Sequence, residues 1–565
     1  MKRTILLLAC GFALQVGMAQ ELPKWAGKAK KSVFSVITYS ADNKILNTGN
    51  GFYINTDGTA VSDYSLFKGA DHAVIVTADG KELPVTSILG ANDMYDVIKF
   101  QTTVDKKTEA LQPASQGAKV GETVYLLPYS TQKAATGQNG TVARVDTIDN
   151  SFYYTLNMQT TEKTVSCPVM NGNGEVIGLI QKNADAESKE SYAIGIGYAQ
   201  GLSINALSGN DYTLNSIGIK KGLPADESQA LVYLYVSSTQ KTPEEYLALL
   251  NDFISQYPNN AEGYLRRATF YLGTEDASKA PLAEEDIKRM FEVSENQAEA
   301  HYNFAKLLYN YNIGLGDKQG YSNWNLDKAL EEINQALASD AQGLYYQVQG
   351  DIYFAQQKYA EAVASYEALS RTPVGSAASY YSAAKAKELM PEPNYGEIIA
   401  LMDSAVAKYN QPYGQEAAAF LFERGRFKAA AGKHREAVTD YTAFYDAMLG
   451  QVNAEFYYIR EQSEVQGRMY QQAINDINKA VELEPKNVEY WVEKGGVHMR
   501  VNQIDEAIKA LQQALTLDSQ SAAAYRMLGY CQVQQNKKKE GLANLQKAKE
   551  LGDTVAESLI QKYSK

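Results

Sequence analysis

Between Tyr457 and Asp553 the chain repeats itself three times at a spacing of 34 residues, and this register limits the possible folds more than any other feature. A small or helix-facing position recurs as Glu461, Gly495 and Gly529, and a tight-contact position as Ala473, Ala507 and Gly541. Ile477, Leu511 and Leu545 follow, then Ala480, Ala514 and Ala548, with breakers at Pro485, Ser519 and Asp553. One helical hairpin cannot bury its own apolar face, so units of this kind stack into a solenoid of three or more. Weaker copies lie at Tyr264–Ala268, around Ala305 with Ala329, around Gly350 with Tyr346, Tyr353, Ala362 and Tyr366, around Ala384, and around Gly425 with Ala437 and Tyr441. Together they predict about eight repeats between Leu231 and Leu559, with insertions at Asn310–Asn325 and Met390–Tyr395 forming loops.

These positions resemble the tetratricopeptide repeat, a helix-turn-helix unit of that period. The resemblance implies a concave surface, lined by the first helix of each repeat, that takes a peptide or a partner helix. Counted from the marker positions, the inward residues are Gln347, Asp351, Phe354, Phe422, Arg426, Tyr458, Gln462, Met499, Arg526 and Tyr530, a set mixed in charge. About half of them are expected only to pack against the next repeat. The Lys and Asn clamp with which some related arrays hold a C-terminal carboxylate is not found in this set.

Met1–Ala19 has the pattern of a secretory signal: Lys2 and Arg3, an apolar run Ile5–Val16, and the small-residue exit Gly17-Met18-Ala19. The rival reading, a lipoprotein signal acylated at Cys10, is disfavoured because the apolar run before Cys10 is short and continues past it. No other stretch approaches the roughly 20 apolar residues that span a bilayer, so the expectation is an exported chain in the periplasm or cell envelope. A formal net charge of -12 and a pI near 5.1 argue against a nucleic-acid binder, which needs a basic face. Past the signal only Cys167 and Cys531 remain, so stability rests on hydrophobic cores and not on disulfides.

From about Val33 to Tyr198 the pattern changes to short β-branched or alternating runs, among them Ser35–Tyr39, Ala73–Thr77, Thr123–Leu127 and Val176–Ile180. Turn signals separate them at Asn55-Thr56-Asp57-Gly58, Ala78-Asp79-Gly80 and Asn171-Gly172-Asn173-Gly174. This is an all-β domain. Four ordered pieces are similar to the trypsin-type double β-barrel of periplasmic high-temperature-requirement proteases: Gly49–Gly58, Val120–Val124, Asn173–Gly178, and Ile194–Ala199, the last likened to the strand that closes the second barrel.

That resemblance implies a Ser, a His and an Asp in named places, and most of them have changed. The His position holds Ser65, with His72 seven residues later; the Asp position is filled by Asp96, ahead of an apolar strand, with Asp93 a poorer fit. The nucleophile motif, aligned on Pro168, runs Lys163-Thr164-Val165-Ser166-Cys167, so Val165 replaces the Ser and the two glycines become Ser166 and Cys167. Acyl transfer needs the nucleophile, its base and backbone N–H donors together, so the domain reads as a pseudoprotease. The alternative is a displaced site using Ser166 or Cys167 with His72; the plainer reading makes Cys167 a small core residue and His72 a surface residue at a strand edge.

Phosphate-loop, zinc-protease and Cys-x-x-Cys motifs are missing, and the four His are scattered, so no cofactor or metal is expected. The expected organisation is signal peptide 1–19, trypsin-like barrel domain 20–205, linker 206–228, and repeat solenoid 229–565. The expected function is a non-catalytic scaffold that binds protein or peptide partners, with an endopeptidase of rearranged site and a periplasmic chaperone as alternatives. Partner identity and oligomeric state are left open.

Overall fold

The structure is a computed structural model that describes residues 22–104, 108–132, 134–183, 185, 187–274, 276–316 and 318–564. The expected signal segment 1–19, with Cys10, lies outside the described residues. The chain divides into two compact units, Met1–Phe270 and Tyr271–Lys565.

In the first unit, β1 (Val33–Tyr39), β2 (Ile45–Tyr53), β3 (Thr59–Ser62), β4 (His72–Val76), β5 (Glu82–Asn92) and β6 (Val97–Thr102) close a barrel in the order β1-β2-β3-β6-β5-β4. A second barrel is built from β7 (Thr123–Leu126), β8 (Gln138–Ile148), β9 (Ser151–Asn157), β10 (Pro168–Met170), β11 (Val176–Ile180) and β12 (Ser191–Gly195), in the order β10-β11-β12-β9-β8-β7. Both follow one scheme, in which the first strand pairs antiparallel with the second and the fourth. Closure removes the sheet edges and lets alternate residues fill the interior. Along β1, Phe34, Val36 and Thr38 are buried while Ser35, Ile37 and Tyr39 are half-buried. The expected turns hold Gly58, Gly80 and Gly174 at φ of 95°, 81° and 80°, where a side chain would be strained. One strand differs from expectation: β12 ends at Gly195, and Ile196–Gly201 is a helix.

The segment expected as a linker, 206–228, is part of the first barrel's packing. Leu214, Ile217 and Ile219 lie in one buried cluster with Phe34, Ile75, Ile88 and Phe100, and so do Tyr233, Leu234, Leu250 and Phe253 from the helices Glu227–Ser237 and Pro243–Gln256. Backbone bonds fasten the segment too, from Ile88 N–H to the Lys220 carbonyl (2.8 Å) and from Gly222 N–H to the Ile88 carbonyl (2.8 Å). Each large side chain buried there contributes about 2 kcal/mol of transfer free energy, which a free linker would forgo.

In the second unit, seven helical hairpins run from Gln297 to Glu550 among the described residues, followed by the helix Ala556–Ser564. The marker residues sit at the closest helix approaches. A Cβ on Gly495 would stand 2.6 Å from Leu511 Cγ, and one on Gly529 would stand 2.7 Å from the Gly541 carbonyl oxygen. Ala473, Ala507, Leu511, Ala514, Leu545 and Ala548 are fully buried. Upstream, Gly350 and Gly425 pack under the rings of Tyr366 and Tyr441 in the same way. Of the two expected insertions, the first is partly helical: Gln297–Leu315 extends into it, and buried Trp324 packs against Phe304.

Glu461 breaks the pattern by placing a fully buried carboxyl where the next two repeats have glycine, with buried Glu464 one turn on. Burial, then the Glu493 carboxylate, pushes Glu461 up to about 8; burial, then Asp476, opposed by Arg460, pushes Glu464 to about 8. An acid whose folded pKa lies above its unfolded value costs nothing while both states are protonated. Stability is therefore lost as pH rises from the ordinary carboxyl range to about 8 and is flat above it. Glu461→Gln is expected to raise unfolding free energy at pH 8 by up to about 4 kcal/mol and to flatten its decline between pH 6 and 8, measured by urea titration at several pH values.

Candidate functional site

The helical turn Tyr64–Phe67 follows β3 and carries Ser65 to the mouth of the first barrel, where Asp96, at φ 44°, precedes β6. Ser65 donates twice to it, from its N–H to Oδ1 (2.6 Å) and from its hydroxyl to Oδ2 (2.9 Å). Ser65, where the resemblance would put a histidine, thus occupies both oxygens of Asp96, and Val165 is not part of this pair.

Val165, half-buried, sits in the turn before β10. Its N–H donates to the Thr161 carbonyl (3.2 Å), and its own carbonyl accepts from Asn50 Nδ2 (2.8 Å). Asn50 is the organising residue that sequence reasoning passed over. From β2 its amide also reaches the Lys163 carbonyl (3.1 Å), and its Oδ1 accepts the Tyr129 N–H (3.0 Å), so one side chain of the first barrel holds the nucleophile-equivalent loop of the second. The available signal was a short polar residue between Gly49 and Gly51, where a strand cannot otherwise carry two glycines without loss.

Ser166 and Cys167 are fully buried. Ser166 takes φ 64°, the left-handed region suited to the glycine it replaces. Beside it Asp63 is buried, and burial, then the Asp96 charge, raises its carboxyl well above the usual range, with the neighbouring Ser166 hydroxyl opposing. Cys167 packs among Val124, Leu126, Val169 and Ile180, and burial, then the Asp63 charge, raises its thiol well above the usual value. A thiol so placed is a poor nucleophile. His72 stacks on Tyr39 across the strand pair (5.0 Å between centroids) and its Nδ1 lies 3.0 Å from Asp71 Oδ2, with no hydrogen bond to Ser166 or Cys167.

Along the repeats the ten inward positions do not form one surface. Asp351 accepts the Tyr366 hydroxyl (2.8 Å), Phe354 meets Tyr359 edge-on, Arg426 is paired with Glu388 and Glu423, and Gln462 donates to Glu461 (2.8 Å). Those four serve packing, while Gln347 is exposed. Tyr458, Met499, Arg526 and Tyr530 come together with Glu489, Glu493 and Met527 around a cleft of about 870 Å³. Phe422 lines a separate cavity of about 490 Å³ with residues that the position count missed, Tyr381, Phe444, Phe456 and Ile459. Their aromatic spacing was legible but reads equally as core.

Two closed six-stranded barrels, then stacked helical hairpins, define a trypsin-like peptidase domain followed by a repeat region of tetratricopeptide type. The comparisons agree. Residues 49–179 match the family model of the trypsin-like peptidase domain, and residues 466–548 that of anaphase-promoting complex, cyclosome, subunit 3. The small glutamine-rich tetratricopeptide repeat-containing protein 2 of Saccharomyces cerevisiae is 27% identical over 95 residues, 17% of this chain and 28% of its own length. The chain thus matches little more than a quarter of that relative. Among solved structures, the Rv3671c protease of M. tuberculosis in its active form aligns at 18% identity over 35% of this chain and 92% of its own, TM-score 0.28. The serine endoprotease of Yersinia pestis aligns at 16% identity over 32% and 65%, TM-score 0.28.

In the folded protein at pH 8, iodoacetamide is expected to leave Cys167 unmodified, and to label it fully once guanidinium unfolds the chain, as read by mass spectrometry of the Cys167 peptide.

Proposed function

We propose that the protein is an exported, non-catalytic scaffold of the periplasm or cell envelope that binds protein partners through its repeats, with the barrels retained as a rigid support. One observation carries the reading: both oxygens of Asp96 are taken by Ser65, so the cleft has an orienting acid and nothing to orient. Loss of a triad member costs about 10⁴ to 10⁶ in turnover where the oxyanion hole is intact. Here the Val165 N–H is also turned inward, to Thr161. Export rests on the pattern of the first 19 residues, and protein partners on the repeats, whose clefts offer apolar and charged groups together. Nucleic acid is disfavoured by the acidic balance of the chain. Among the described residues no helix is long and apolar enough to cross a membrane.

A photo-reactive benzoylphenylalanine at position 499, irradiated in cells, is expected to give one or a few discrete adducts. A smear of many adducts would favour a chaperone that holds unfolded clients, and the absence of adducts at this and neighbouring groove positions would count against the scaffold.

A further inference from the structure

The cavity at Phe422 is a built feature of the repeats that their marker pattern does not account for. Its walls are Tyr381, Phe420, Phe422, Phe444, Phe456 and Ile459, and its volume of about 490 Å³ falls within the roughly 300–1,000 Å³ of ligand pockets. The rings hold one another in place: Phe422 is 5.2 Å from Phe444, Phe444 is 5.1 Å from Phe456, and Tyr381 meets Phe420 edge-on at 6.1 Å. Elsewhere a ring is used to fill the hairpin, as Tyr441 does over Gly425. At this place the rings leave a space, already shaped, so an entering apolar group pays little to organise it.

The charges nearby decide what kind of group enters. Arg426 is paired with Glu388 (2.6 Å) and Glu423 (3.0 Å), Arg424 with Asp440 (2.6 Å), Arg460 with Asp476 (2.6 Å) and Lys385 with Glu388 (2.7 Å). Each neighbouring cation is thus neutralised. Glu455 lines the same cavity, is exposed, and has no ion pair or hydrogen bond among the described residues. Asn453 uses its Oδ1 to cap the Phe456 N–H (3.0 Å), which leaves its NH₂ to donate. Ring faces and the Glu455 carboxylate both attract a cation, whereas an anion would meet Glu455.

We propose that this cavity binds an extended protein segment presenting an aromatic side chain followed by Lys or Arg: the ring enters the cavity, the cation pairs with Glu455, and Asn453 donates to a backbone carbonyl. The proposal rests on the reading of the repeats as a protein-binding groove and names the chemistry of one subsite within it.

The test uses the full chain and a fluorescein-labelled octapeptide, Gly-Ser-Gly-Trp-Arg-Gly-Ser-Gly, followed by anisotropy. Saturable binding with Kd on the order of 100 µM is expected. Replacing the peptide's Trp by Ser, or its Arg by Glu, is expected to weaken binding about tenfold or more. Glu455→Arg, at an exposed position that leaves the core intact, should weaken the Trp-Arg peptide about tenfold and favour the Trp-Glu peptide instead; Phe422→Ala should remove binding of both. No saturation below about 1 mM, equal affinity for the three peptides, or indifference to Glu455→Arg would overturn the proposal. So would tryptamine binding as tightly as the peptide, which would make the cavity a small-molecule site. Discrete adducts at position 499 alongside a failed peptide titration would sink this subsite and leave the scaffold reading standing; failure of both would remove the groove itself.

Discussion

Apolar surface that a single element cannot close sets the organisation of both units. In the repeats a hairpin leaves one face open, and only the next hairpin covers it, which is why small residues such as Ala507 and Gly529 fall where helices must approach. In the barrel unit the same constraint acts across element types. The first barrel shares one buried cluster with residues 206–228 and with the helices that follow, so Tyr233 and Phe253 belong to the core that Phe34 and Phe100 begin. Leu214, Ile217, Ile219, Tyr233 and Phe253 cannot be treated as independent of the first barrel without exposing that cluster.

Within this framework the residues that the resemblance singles out are held by fixed hydrogen bonds. Asn50 ties the turn at Lys163 and Val165 to the first barrel through two bonds and accepts a third from the Tyr129 N–H, and Ser65 bonds both oxygens of Asp96. A serine protease keeps its oxyanion donors free for the transition state, because stabilisation must appear there. Here the Val165 N–H is bonded at rest to the Thr161 carbonyl. Beside them Asp63 is buried, with its carboxyl raised well above the usual range by burial first and then by the Asp96 charge.

Much of this was legible in the sequence. The 34-residue register gave the helix contacts of the last three repeats residue by residue, because close packing permits few side chains at those points. The turn glycines and β-branched runs marked the barrels, and the resemblance singled out Ser65 and Asp96, which the structure joins by two hydrogen bonds. Two things were not legible. Leu214, Ile217 and Ile219 are too few and too irregular to signal burial, and only the barrel's open end explains them. Four of the ten groove positions serve packing, since helical periodicity gives the face of a residue but not whether its partner lies on the same chain. The aromatic cavity escaped for the same reason.

The central claim is that the barrel cleft is chemically silent because its bonds are already made. The direct measurement is incubation of the purified protein with unfolded casein and with a fluorophosphonate probe, alongside Ser166→Ala and Cys167→Ala. The account predicts no cleavage and no labelling in any of the three proteins. Cleavage or labelling by the unsubstituted protein that either substitution abolishes would contradict it and would make the chain an enzyme with a displaced site.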